Sequence, residues 1–200
     1  MKGLILKDLY MVWNYCKTVV FVCIIFLASS VFVEGSFFFS VYPMVIAGII
    51  PFTIMVYEEK IKWAPYCQSF PITRKQVVTE KYILSLLCIL FAAAVSLCFA
   101  VIRAIINSVD IFAAFSSVIS TVTIALIGPI VMLPFIFKYD VEKSRLVYYL
   151  VVGGMAGMST FFSFESRIPD ISNGVGITIG AILLVVSWTL SVKFYENKEL

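Results

Sequence analysis

Glu58 and Glu59 are adjacent carboxylates of the kind that acid–base chemistry could use, and the sequence contains no histidine to work with them. Metalloproteases, intramembrane serine proteases and haem-binding bundles each lose the side chain that would activate water, a nucleophile or a metal. No GxxxxGK[ST] loop occurs either, so nothing in the chain cradles the phosphates of a nucleotide. The expectation is a protein with no catalytic, cofactor-binding or metal-binding residues of its own. If ATP and Mg drive it, a partner chain binds them.

What remains is recognition chemistry, concentrated in Glu58 to Lys81. This stretch carries Lys60, Lys62, Arg74, Lys75 and Lys81 beside Glu58, Glu59 and Glu80. It is far longer than a turn between two helices requires. Trp63, Tyr66 and Phe70 can share one side of a short helix that Pro65 starts and Pro71 stops. Such aromatics suit either a protein partner or the membrane interface. Beyond Pro71, the order Thr73, Arg74, Lys75, Gln76 reads as a capping box, with Ile72 and Val77 at the staple positions. A new helix is expected to begin there.

The elements that position this segment are long apolar runs. They extend roughly over 18–33, 37–57, 82–102, 111–137, 146–164 and 175–192, each close to the ~20 residues that cross a bilayer. Hydrophobic residues make up 62% of the chain and charged ones 14%, with mean hydropathy +1.03, so lipid must be the main solvent. The basic residues alternate between gaps. Lys2, Lys7 and Lys17, the five of the 58–81 segment, Lys138, Lys143 and Arg145, and Lys193 and Lys198 fall on one side, leaving Arg103 and Arg167 for the other. The positive-inside rule then places both termini in the cytoplasm of a six-span, all-α polytopic protein in the cell membrane. The net charge of +3 lies on the same side and matches anionic headgroups, with no role for nucleic acid. The whole of 1–200 reads as one transmembrane domain.

Residues 1–17 are expected to form an in-plane amphipathic helix, with Ile5, Leu6, Leu9, Val12, Trp13 and Cys16 on its apolar face. Lys2, Lys7 and Asp8 interrupt any signal-peptide h-region, and no cleavage site follows. Cys16 and Cys67 lie on the cytoplasmic side and Cys23, Cys88 and Cys98 within helices, which predicts no disulfide framework. Pro43, Pro51, Pro129 and Pro134 should kink the second and fourth spans, as static bends or as hinges. Gly153 and Gly157, and Gly176 and Gly180, have the spacing that lets helices approach closely in lipid. Packing within the bundle is the favoured use, a dimer seam the other. The charged stretch 138–145 reads as a solvated loop, and the outer gaps are too short for an ectodomain. Glu34, Arg103, Asp110 and Glu165 mark helix ends, which argues against a secondary carrier with a charged midplane site.

Trp63, Tyr66, the run from Phe70 through Val78, and Lys81-Tyr82 resemble the inner-loop motif of short permease subunits in the type 2 ATP-binding-cassette (ABC-2) family. The opening Lys2-Gly-Leu-Ile-Leu-Lys7-Asp8-Leu-Tyr10 is similar to that family's N-terminal helix. Phe70 stands where the motif has Leu and Thr73 where it has Ser, and both replacements keep the apolar contact and the cap. Within the family the chain looks most like permeases of staphylococcal-type peptide-toxin exporters.

The resemblance implies that 58–71 is the coupling helix seated on a separate ATP-binding subunit. The contacts it implies are at Glu58, Glu59, Trp63, Tyr66, Phe70, Pro71, Arg74 and Lys75. It also implies pairing with a second permease, as homodimer or heterodimer, and outward movement of an amphipathic or hydrophobic substrate such as a peptide. The alternative is a non-transporting membrane accessory or immunity protein, which would have no use for so long an ordered inner segment.

Overall fold

A backbone immersed in lipid finds hydrogen-bond partners only within itself, which leaves the helix as the economical solution for an open chain. The computed structural model describes residues 2–15, 17–32, 37–63, 67, 73–107, 111–164 and 173–197, and nearly all of them are helical. The helices are α1 (Lys2–Tyr15), α2 (Lys17–Phe32), α3 (Phe37–Lys60), α4 (Arg74–Asn107), α5 (Ile111–Phe164) and α6 (Asn173–Glu196). Among the described residues there is no strand.

Four stretches are long and apolar enough to cross a membrane: Phe39–Lys60, Arg74–Ile106, Ala114–Tyr139 and Gly176–Glu196. A fifth arises if α1 and α2, bent by 67° at their junction, are counted as one broken span. The structure thus has fewer qualifying spans among the described residues than the six apolar runs suggested. At 16 residues, α2 reaches only ~24 Å.

The central element is α3. Val41, Val45, Ile49 and Phe52 pack on Met132 and Ile136 of α5. Met44 meets Ile89 of α4 and Ala125 and Leu126 of α5. Its two prolines, Pro43 and Pro51, are fully buried. Where α3 crosses α5, a Cβ added to Gly48 would stand 2.7 Å from the Ala125 carbonyl oxygen. Ala125 lies four residues before Pro129, so its carbonyl is the one that the proline deprives of a helical partner. A glycine opposite it lets the backbones touch. The carbonyl freed by Pro134 belongs to Ile130, and it accepts the Ser187 hydroxyl of α6 at 2.8 Å. The carbonyl freed by Pro134 thus gains a hydrogen bond from a neighbouring helix, while the one freed by Pro129 is closely approached by the α3 backbone at Gly48.

Along the same seam, Cβ atoms at Gly176 and Gly180 would lie 3.2 Å from Thr123 and 3.3 Å from Leu126. At Gly153 and Gly157 an added Cβ meets nothing within 4 Å. Among the described residues, the α6 pair thus lies close against α5, while the α5 pair has open space at its Cβ positions.

The stretch 138–145, expected as a loop, is helical and belongs to α5. It is charged but contains neither Gly nor Pro, and Lys, Glu and Arg are good helix formers. A straight α5 of 54 residues would be ~81 Å long, and connectivity forbids that. Gly176 lies against Thr123 and Tyr195 meets the Phe137 ring edge-to-face, so α6 runs alongside α5 in the same direction. Phe164 would stand ~60 Å beyond Thr123 on a straight axis, yet the nine steps from Phe164 to Asn173 reach at most ~32 Å. The helix axis therefore bends between Phe137 and Phe164.

Candidate functional site

At one end of the bundle the C-terminus of α3, the N-terminus of α4 and the helix α1 converge on a buried cluster of charge. Lys81, in the second turn of α4 and 1% exposed, places its Nζ 2.7 Å from Asp8 Oδ2 and 2.8 Å from the Glu58 carboxylate. Lys7 bonds the same Glu58 carboxylate and lies 3.1 Å from Asp8 Oδ1. Three helices are thereby tied through two lysines. Ion pairs at this depth lose hydration, and only close geometry with several partners offsets the loss.

A third carboxylate, Glu80, is 2% exposed beside this cluster, and its Oε1 finds no hydrogen bond among the described residues. The knot therefore sets two cations against three acids. Cys67, from the 61–73 segment, is buried next to it. Burial pushes the Cys67 thiol up, with Glu80 and Glu58 adding to the effect and Lys7 and Lys81 opposing it. A thiol held protonated in this way is not a nucleophile.

This geometry revises the reading of Glu58, expected as a contact for a partner. It points inward to Lys81 and Lys7 rather than outward. Glu59, next along the chain, is exposed. The single apolar face expected for α1 is also split. Asp8 is fully buried, with Met11 and Val12 packed on the cluster of Ile50, Ile54 and Leu84. Leu6, Leu9 and Trp13 face outward. An acid on the inward face escapes a hydropathy reading, because its lysine partner lies 73 residues away.

Trp63 is half-buried and takes the Lys7 ammonium over its ring at 4.1 Å, which fastens the inner segment to α1. Lys62 closes α3 in the left-handed region, at φ 53°. The capping box forms in both directions: the Thr73 amide donates to Gln76 Oε1 at 3.1 Å and the Gln76 amide to Thr73 Oγ1 at 3.3 Å. Arg74 is exposed and donates to the carbonyls of Tyr195 and Glu196 at 3.2 and 2.8 Å, capping the end of α6 where the helix dipole is negative. Lys75 stands over the Trp188 ring at 5.2 Å, and the indole of Trp188 donates to Thr79 at 3.1 Å. Tyr66, Phe70 and Pro71, and the staple residue Ile72, lie outside the described residues.

Next to Lys81 on α4, the Tyr82 hydroxyl meets Ser187 and Ser191 at 2.7 and 2.8 Å. This second buried node joins α4 to α6. The sequence reading passed over Asp8, Lys81, Tyr82 and Ser187 as site residues. Only the Lys81-Tyr82 pair, sitting at the end of the motif, signalled part of it.

The arrangement holds no acid–base pair around a reactant. Its contacts tie α1, α3, α4 and α6 together around Glu58, Trp63, Arg74 and Lys81. Neither the curated proteins nor the solved structures contain a significant match. Residues 3–196 match the family described as ABC-2 family transporter protein. With nearly its whole length matched, the chain belongs to the ABC-2 transporter family and is a multi-pass membrane permease subunit of an ABC transporter.

Proposed function

We propose that this chain is the membrane half of an ABC exporter, in which a separate ATPase moves the 58–81 segment and the bundle releases an amphipathic or hydrophobic substrate outward. The observation that carries this reading is the attachment of that segment. Trp63 grips Lys7, Lys7 and Lys81 grip Glu58, and Arg74 caps α6. A displacement at Glu58, Trp63 or Arg74 reaches four helices through these contacts, which is a way to bias a two-state bundle from outside.

Six crossings follow if α2 and the returning limb of α5 each span once. The end holding the knot is then cytoplasmic, because it gathers Lys7, Lys60, Lys62, Arg74, Lys75, Lys81, Lys138 and Lys193 while Arg103 sits at the other end. In this reading Glu59, Tyr66, Phe70, Pro71 and Lys75 offer the surface for the ATPase, and Glu58 and Trp63 hold it from behind. A second permease completes the pathway, since a bundle of this size is half of a usual transporter. A peptide is the preferred substrate class, in keeping with the resemblance to peptide-toxin permeases.

The test is flux in inverted membrane vesicles containing the chain and its native ATPase. ATP-dependent uptake of a fluorescent amphipathic peptide is expected, since uptake into inverted vesicles is export. Uptake driven by an ion gradient without ATP would contradict the proposal.

A further inference from the structure

The end of the bundle opposite the knot contains a cavity of about 170 Å³. Among its lining residues are Ser30 of α2, Ser40 of α3, Ser96 and Arg103 of α4, and Ser117 and Thr121 of α5. Four helices thus contribute polar groups to one space. Ser96, Ala100 and Arg103 share one face of α4, and Ala114, Ser117 and Thr121 one face of α5. The small residues on both faces leave the room. About 170 Å³ holds a carboxylate or phosphate together with a few waters, each taking roughly 30 Å³.

Arg103 is half-buried, and among the described residues it forms no ion pair. Among the described residues, no carboxylate lines the cavity. A guanidinium near the end of a membrane helix ordinarily pairs with an acid or a headgroup, and it presents donors that fit an oxyanion in bidentate fashion. The hydroxyls have the opposite polarity. Ser30, Ser96, Ser117 and Thr121 donate back to their own helices, to Leu27, Ala93, Ala114 and Val118, at 2.6, 3.0, 2.7 and 2.8 Å. With their single protons committed, they face the cavity as acceptors.

We propose that this cavity binds an anionic head group through Arg103, with the hydroxyl oxygens receiving the N–H or O–H donors that flank the anion. A phosphoglycerol lipid head and a peptide C-terminus share this chemistry: an oxyanion with donors beside it. The inference stands independently of the transport reading, because the cavity can bind whether or not the chain moves anything.

The test uses the full chain in mild detergent and two probes, dihexanoyl phosphatidylglycerol and an acetylated hydrophobic pentapeptide with a free carboxylate, measured by thermophoresis. Saturable binding of at least one probe is expected. Arg103→Gln should weaken it about tenfold or more, the loss of a charge-assisted hydrogen bond. Arg103→Lys, which keeps the charge and guards against a folding artefact, should retain most of it, and Lys193→Gln at the other end should leave it unchanged. Lipid binding alone assigns the head group to the bilayer. Peptide binding that vanishes for the C-terminal amide assigns it to a peptide carboxylate. Absence of binding by both probes, or equal binding in Arg103→Gln, would overturn the proposal.

Discussion

Lys81 shows how much of this protein's order rests on single side chains. It is buried between Asp8 and Glu58, and removing one partner from such a group leaves uncompensated charge, typically at ~3–5 kcal/mol. Lys81→Met is therefore expected to lower the detergent melting temperature sharply. Adding Asp8→Asn to it should recover part of the loss, because the acid left unpaired is removed with its partner, and a double-mutant cycle reads the coupling. Additive losses in that cycle would mean that the two side chains do not interact. Lys62 provides a second test with the opposite sign. A lysine at φ 53° carries a steric penalty that glycine lacks, ~1 kcal/mol, so Lys62→Gly should raise the melting temperature by a few degrees. A fall would show that the lysine side chain contributes more than its backbone conformation costs.

Between elements, the controlling contact is the crossing of α3 and α5. Gly48 allows it, since a methyl at that position meets the Ala125 carbonyl at 2.7 Å and Pro129 at 3.4 Å. Backbone cannot yield as a flexible side chain would. Gly48→Ala is expected to destabilise the chain by about 1–3 kcal/mol, the usual range for overpacking, while Gly153→Ala should be silent in the isolated chain. Equal melting temperatures for Gly48→Ala and the parent would contradict this crossing.

The helices themselves were legible in the sequence because hydropathy and proline report them directly. The capping box at Thr73 and Gln76 was legible to the atom, being a local rule of four residues. The knot was not. Asp8 and Lys81 are remote in sequence, and hydropathy scores each as solvent-seeking when together they are buried. Gly48 gave no signal either, since a lone glycine in an apolar run has no period. The 138–145 stretch resembles a loop by charge alone, yet Lys, Glu and Arg are good helix formers and nothing in it breaks the helix.

Over the whole molecule, polarity divides the bundle. One end gathers the knot, the Arg74 cap on α6 and the cation–π contacts of Lys75 with Trp188 and of Lys138, whose ammonium lies 5.2 Å from the Phe194 ring centroid. The other end holds Arg103 and a ring of hydroxyls. Between them the core is almost wholly apolar apart from the Tyr82–Ser187–Ser191 node. Such a body suits a machine driven from one face and opening at the other. The most direct test of that account is to recover the tagged chain from its native membrane in mild detergent and assay what accompanies it by mass spectrometry and ATP hydrolysis. The account predicts a P-loop ATPase that is lost when Tyr66→Ala and Lys75→Glu are introduced together, with the chain itself still inserted and folded. Recovery of the intact chain without any ATPase, under conditions that preserve membrane complexes, would contradict it.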